Sequence, residues 1–225
     1  MSVSVEALSA QLGGKPPVLN FADTFNRADQ PFFVGTLWSP LMSQGMLASG
    51  NNLAANCNVG GAQLTFTNPA NVPNAWFMPT PISWNIAIAR NQFCQVLVSA
   101  YNLGAGAQVT CGPGVWANLQ GGLGTIGYYL RLENIAGVLN VRVAYGFSPI
   151  TSFGANPINV GDVIRIEARN QGAQNQVLLL QNGVVIQTVN DNSGSRPTGG
   201  VYGIAWESGS VGGSCSFQNF SAGVL

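Results

Sequence analysis

Apolar and polar residues alternate with a period of two through much of this chain, and a helical period is almost absent. In residues 162–169 (DVIRIEAR), Ile164, Ile166 and Ala168 alternate with Arg165, Glu167 and Arg169, the pattern of a strand that buries one face and wets the other. The stretches 176–181 and 184–190 flank Asn182-Gly183, the dipeptide favoured in a two-residue type I′ hairpin turn. An earlier pair, 127–134 and 138–145, places Tyr128, Leu130, Leu132, Leu139, Val141 and Val143 on one face. Its other face, with Tyr129, Arg131, Glu133 and Arg142, is expected to be solvated. Further strands are predicted at 21–25, 46–53, 63–67, 83–89, 92–101, 108–119, 201–207 and 215–224, each bounded by Gly, Asn or Pro.

So many short strands without a fixed-period repeat suit one antiparallel two-sheet β-sandwich over residues 21–225, and not a propeller or solenoid. The first 20 residues differ. Val5, Leu8 and Leu12 fall at helical spacing before Gly13-Gly14 and Pro16-Pro17 stop any helix. Residues 1–20 are expected to form an apolar arm that docks on a partner or a neighbouring subunit.

Composition narrows the function classes. Eight Lys+Arg balance eight Asp+Glu in 225 residues, a charged fraction of 7%, where an ordinary domain carries about 25%. Such a chain lacks the clustered cations that nucleic-acid phosphates or anionic lipid require. At 46% hydrophobic residues it is too apolar for disorder. No apolar run reaches the roughly 18 residues of a membrane helix, and no secretory leader is apparent at the N-terminus. Synthesis in a cytoplasm is expected. Polarity is carried by amides and hydroxyls, with 23 Asn among them. There is no His, so the usual general base and commonest metal ligand is missing. Cys57, Cys94, Cys111 and Cys215 lack metal-ligand spacing and read as buried, reduced thiols.

The order of several segments resembles the concanavalin A-like jelly-roll family of lectins and glucanases. FADTFNRAD (21–29) with Leu37-Trp38, YYLRLE (128–133), GDVIRIEA (161–168), QNGVVIQTVND (181–191) and FQNFSAG (217–223) carry the resemblance. It implies an all-β jelly-roll sandwich in which the first and last strands pair. The chain departs from the family's glycanases, which carry acids two apart on one strand face to supply nucleophile and acid. Here Asp162 and Glu167 are five apart, and Glu133 and Glu207 stand singly, each read as a rung in a solvated ladder with Arg. Asp23, Asn26 and Asp29 could meet the oxygen-ligand needs of calcium, but DTFNRAD reads first as strand-to-turn capping.

Other motifs carry less. Gly122, Gly124 and Gly127 match a dinucleotide fingerprint, but they lead into a strand where the fingerprint needs a helix. No serine or cysteine has a His to activate it. Trp38, Trp116 and Trp206 read mainly as packing residues, with Trp76 and Trp84 the exceptions. Trp76, Phe77 and Met78 run consecutively in a Pro-rich stretch (NVPNAWFMPTPISW) that reads as an exposed contact loop.

The sequence therefore predicts a non-enzymatic protein without metal or cofactor. In style, a charge-poor, Gly- and Asn-rich chain looks like a capsid decoration (cement) protein of a tailed phage. The corresponding expectations are a homotrimer on the virion surface, bound to the major capsid protein through Val5, Leu8, Leu12, Trp76, Phe77 and Met78. The alternative is a lectin-like module binding a glycan.

Overall fold

The computed structural model describes residues 20–31, 38–42, 57–68, 75–79, 91–104, 108–109, 111–118, 126–145, 148–149, 154–193, 201–206 and 213–225. Among the described residues the regular elements are all strands: β1 (Asn20–Asp23), β2 (Gln30–Pro31), β3 (Trp38–Met42), β4 (Cys57–Gly60), β5 (Gln63–Asn68), β6 (Ala75–Pro79), β7 (Asn91–Leu103), β8 (Gln108–Val109) and β9 (Cys111–Asn118). They continue with β10 (Ile126–Ile135), β11 (Val138–Tyr145), β12 (Ser148–Pro149), β13 (Asn156–Pro157), β14 (Val163–Asn170), β15 (Asn175–Gln181), β16 (Val184–Asp191), β17 (Val201–Trp206) and β18 (Gly213–Val224).

The described strands pair antiparallel and make two sheets. The first runs β16-β15-β14-β7-β18-β5-β4-β2, with β1 also on β18; the second runs β12-β11-β10-β9-β17-β6-β3, with β13 on β11 and β8 on β10. The opening strand lies along the closing one, Asn20 opposite Gly223 and Asp23 opposite Phe220. This is the jelly-roll β-sandwich the sequence resembled.

Alternation explains the core. From the first sheet come Cys94, Val96 and Val98 of β7, Ile164, Ile166 and Ala168 of β14, and Phe217 of β18. From the second come Tyr128, Leu130 and Leu132 of β10, Val141 and Val143 of β11, and Ile204 of β17. These side chains meet between the sheets, as period-two strands with one apolar face require. Two-residue turns close the hairpins: Asn182 and Gly183, at φ 52° and 82°, join β15 to β16, and Ala136 and Gly137, at 52° and 86°, join β10 to β11.

Two expectations about the strands need correction. Trp76, Phe77 and Met78 are not on a loop: they lie in β6, between β17 and β3, with Phe77 opposite both Ile204 and Pro40. Pro79, at the end of β6, marks the strand's limit and not a connection. The stretch 108–119 divides into β8 and β9. The predicted strands at 46–53 and 83–89 lie outside the described residues, as do the arm 1–19 and, with it, Val5, Leu8 and Leu12.

Candidate functional site

The outer side of the second sheet, turned away from the core, carries the densest chemistry. On β10, Tyr129, Arg131 and Glu133 alternate with the core residues Tyr128, Leu130 and Leu132. The register sets Tyr129 opposite Ala144, Arg131 opposite Arg142 and Glu133 opposite Asn140. Arg131 Nε stands 3.3 Å from Glu133 Oε1, and Arg142 Nη2 2.7 Å from Oε2. The sequence foresaw this arginine ladder but placed it in solvent. Glu133 is instead 2% exposed and Tyr129 fully buried, so this face is covered around a carboxylate. A buried carboxylate costs several kcal/mol unless paired, and the two guanidinium groups supply that pairing with one positive charge in excess.

Beside this cluster the sheet carries few side chains. Gly114 of β9 lies opposite Tyr129 on one side and Gly203 of β17 on the other, and Ala205 lies opposite Gly112. Val115 and Ile204 point into the core, so Gly114 and Gly203 hold the alternate positions, and both are buried. Across the next strand, Trp76 takes the register position opposite Ala205. The middle of the sheet thus carries no side chain at Gly112, Gly114 and Gly203, which are buried beside Tyr129, Arg131, Glu133 and Arg142.

The other described acids are occupied elsewhere. Asp23, the first member of the candidate calcium set, accepts hydrogen bonds from Phe25 N, Arg27 Nη1 and Trp38 Nε1, the last at 2.6 Å. That is a capped strand-to-turn junction, with the carboxylate committed to its protein donors. Among the described residues no three His, Cys, Asp or Glu side chains converge on a metal-sized site. Glu167 lies on the outer side of the first sheet, bound by Arg165 at 2.7 Å and Arg169 at 2.6 Å. Asp162 accepts from Asn159 N, Gln181 Nε2 and Asn182 Nδ2; burial raises its pKa, but these hydrogen bonds outweigh burial and hold the carboxyl below its usual value. Glu207, the residue after β17, lies outside the described residues.

Cys57, Cys94 and Cys215 are buried free thiols. Burial pushes the Cys57 and Cys94 thiols well up, in Cys94 despite hydrogen bonds involving Gly114 and Gly203. Neither serves as a thiolate nucleophile.

No protein-family model matches the chain, and no curated protein matches it. Solved structures do match in shape. The endo-1,3-β-glucanase from Streptomyces sioyaensis superimposes with a TM-score of 0.57 at 14% identity, covering 94% of this chain and 99% of its own. The fold is that of the concanavalin A-like lectins and glucanases. An alginate lyase in complex with an alginate tetrasaccharide superimposes at TM-score 0.49 and 10% identity, covering 92% of this chain and 97% of its own. The legume lectin-like domain from Entamoeba histolytica gives 0.45 and 10%, with 84% and 90% covered.

The likeness corrects two expectations. The non-enzymatic virion structural protein, a capsid decoration protein, is overturned, because the structural likeness runs to an endo-1,3-β-glucanase. The exclusion of enzymatic chemistry falls with it. It rested on missing His and unspaced carboxylates, whereas the fold is one that carries a glycan-cleaving enzyme over the same length of chain. The expected trimer and major-capsid-protein partner had no support besides that reading.

Proposed function

We propose that the protein is a carbohydrate-active β-sandwich that takes a polysaccharide along the outer side of the second sheet. The observation that carries this reading is the Arg131–Glu133–Arg142 cluster, whose two guanidinium groups are partly exposed on that side. A sugar is rich in hydroxyls, so it pairs with charged donors held at a surface. Likeness of fold to an endo-1,3-β-glucanase supports the same reading. Hydrolysis by paired carboxylates needs two of them about 5–10 Å apart. Of the described acids Glu133 occupies this face, 2% exposed and held by two arginines, so we assign it to positioning the guanidinium groups that meet the sugar.

Electrophoresis through gels containing β-1,3-glucan, xylan, mannan or alginate tests the proposal. The expected result is retardation by one polysaccharide, with the apparent Kd at least tenfold higher for Arg142→Ala and Arg131→Ala while the melting temperature shows both still folded. Absence of retardation across the panel, or unaltered binding in both folded variants, overturns it.

A further inference from the structure

The outer side of the opposite sheet holds a hollow that polysaccharide binding on the second sheet leaves unused. It has a volume of about 730 Å³ and lies at the end of the first sheet where β2, β4 and β5 meet. That volume falls in the ~300–1,000 Å³ range of small-ligand sites. We propose that this hollow is a separate binding site for a neutral, hydroxyl-rich saccharide unit.

The lining follows from strand alternation. Cys57 and Val59 of β4 and Leu64 and Phe66 of β5 point into the core, which turns Asn58, Gly60, Gln63 and Thr65 outward to line the hollow. The register pairs Gly60 with Gln63 and Asn58 with Thr65, and brings Gln30 of β2 opposite Val59. The surface is therefore one continuous patch of amides, a hydroxyl and exposed backbone, completed by the exposed carboxylate of Asp29.

The lining offers both donors and acceptors. The Gln63 carbonyl oxygen accepts the Ser99 hydroxyl at 3.2 Å, which orients the amide and leaves its N–H₂ group to donate. Thr65 is held through Ser216 at 2.9 Å. Asp29 supplies two acceptor oxygens beside these donors, and one carboxylate next to one amide can bind adjacent hydroxyls, each of which both donates and accepts. Gly60 makes the placement possible, since a Cβ built there would come 1.9 Å from Asp29 Oδ1 and 2.7 Å from its Cγ. A methyl group there would displace the exposed Asp29 carboxylate from the strand. Charge selects the ligand class. The described lining has one carboxylate and no cation, so it repels uronates and sulfated sugars and accepts neutral ones.

The site does not depend on the second-sheet reading, and the two are separated experimentally. Backbone amide chemical shifts of the full chain are followed as hexaoses of β-1,3-glucan, β-1,4-glucan and β-1,4-mannan are added, with an alginate hexauronate alongside. The expected result is saturable shifts at Asn58, Gly60, Gly61 and Gln63 with at least one neutral hexaose and not with the hexauronate. Asp29→Ala and Gln63→Ala, both changes at surface positions, should raise the Kd at least tenfold, whereas Arg142→Ala on the other sheet should leave these shifts intact. Gly60→Ala should also abolish them, although it removes no polar group. The proposal is overturned if no neutral hexaose perturbs these amides, if the hexauronate does so equally, or if Asp29→Ala and Gln63→Ala bind as the parent does.

Discussion

Asp23 illustrates how few charges this chain needs when each is saturated. Its carboxylate caps the turn through Phe25 N at 2.7 Å, pairs with Arg27 at 2.9 Å and accepts Trp38 Nε1 at 2.6 Å. One side chain thereby joins β1 of the first sheet to β3 of the second and holds Phe25 at a φ of 58°, a conformation that costs an L-residue about 1–2 kcal/mol. Tyr128 makes a second crossing. Its hydroxyl donates to Asp191 at 2.5 Å and accepts from Asn175 at 3.1 Å. Tyr128→Phe removes both partners' contact to that oxygen and should destabilise by about 1–3 kcal/mol, read as a lower midpoint in urea at constant slope. Burial also sets an alkaline limit. It pushes the thiols of Cys57 and Cys94 and the phenols of Tyr128 and Tyr202 up, with the Asp191 carboxylate adding to the effect at Tyr128. Groups with raised folded pKa values contribute fully below their unfolded values, and that contribution is lost as pH rises towards the folded ones. Unfolding free energy should therefore be level to about pH 8 and fall from about pH 9 upward, given unfolded values of about 8.5 for Cys and 10 for Tyr. A flat profile to about pH 11 would contradict the burial of these groups.

At the scale of elements, the β15–β16 hairpin carries the sharpest local requirement. Asn182 and Gly183 both take positive φ, and Asn182 Oδ1 also accepts Val163 N at 2.9 Å. Gly183→Ala should cost about 1–2 kcal/mol through φ alone, since open space surrounds its added methyl; an unchanged midpoint in urea would show a different turn. This hairpin, β10–β11 and β14 were legible in the sequence to within a residue or so, because their period-two patterns are long and their turn residues distinctive. The strands β2, β3, β4 and β6 were not. CNVG is too short to show alternation, and the Pro-rich stretch that ends β6 at Pro79 reads as a loop although it forms a strand at one side of the second sheet. The two Arg–Glu ladders were legible as residue types on one strand face, RLE at 131–133 and RIEAR at 165–169. Their burial was not, because it depends on what covers a sheet's outer side, and periodicity within a strand says nothing of that. The hollow was likewise hidden: Asp29, Asn58 and Gln63 come from three separate segments whose meeting is a property of strand order.

The whole molecule resolves its charge deficit in one way. Every arginine among the described residues pairs with a carboxylate, Arg27 with Asp23, Arg131 and Arg142 with Glu133, and Arg165 and Arg169 with Glu167. A surface of amides, hydroxyls and backbone remains for recognition, and it matches the chemistry of sugars better than that of nucleic acid or lipid. A sandwich with two outer sides can present that surface twice, and we assign polysaccharide to the second sheet's outer side. The most direct test is amide hydrogen exchange of the full chain with and without the polysaccharide that retards it most. We predict slowed exchange concentrated in β9, β10, β11 and β17. Unchanged exchange in those four strands under saturating polysaccharide would contradict the assignment.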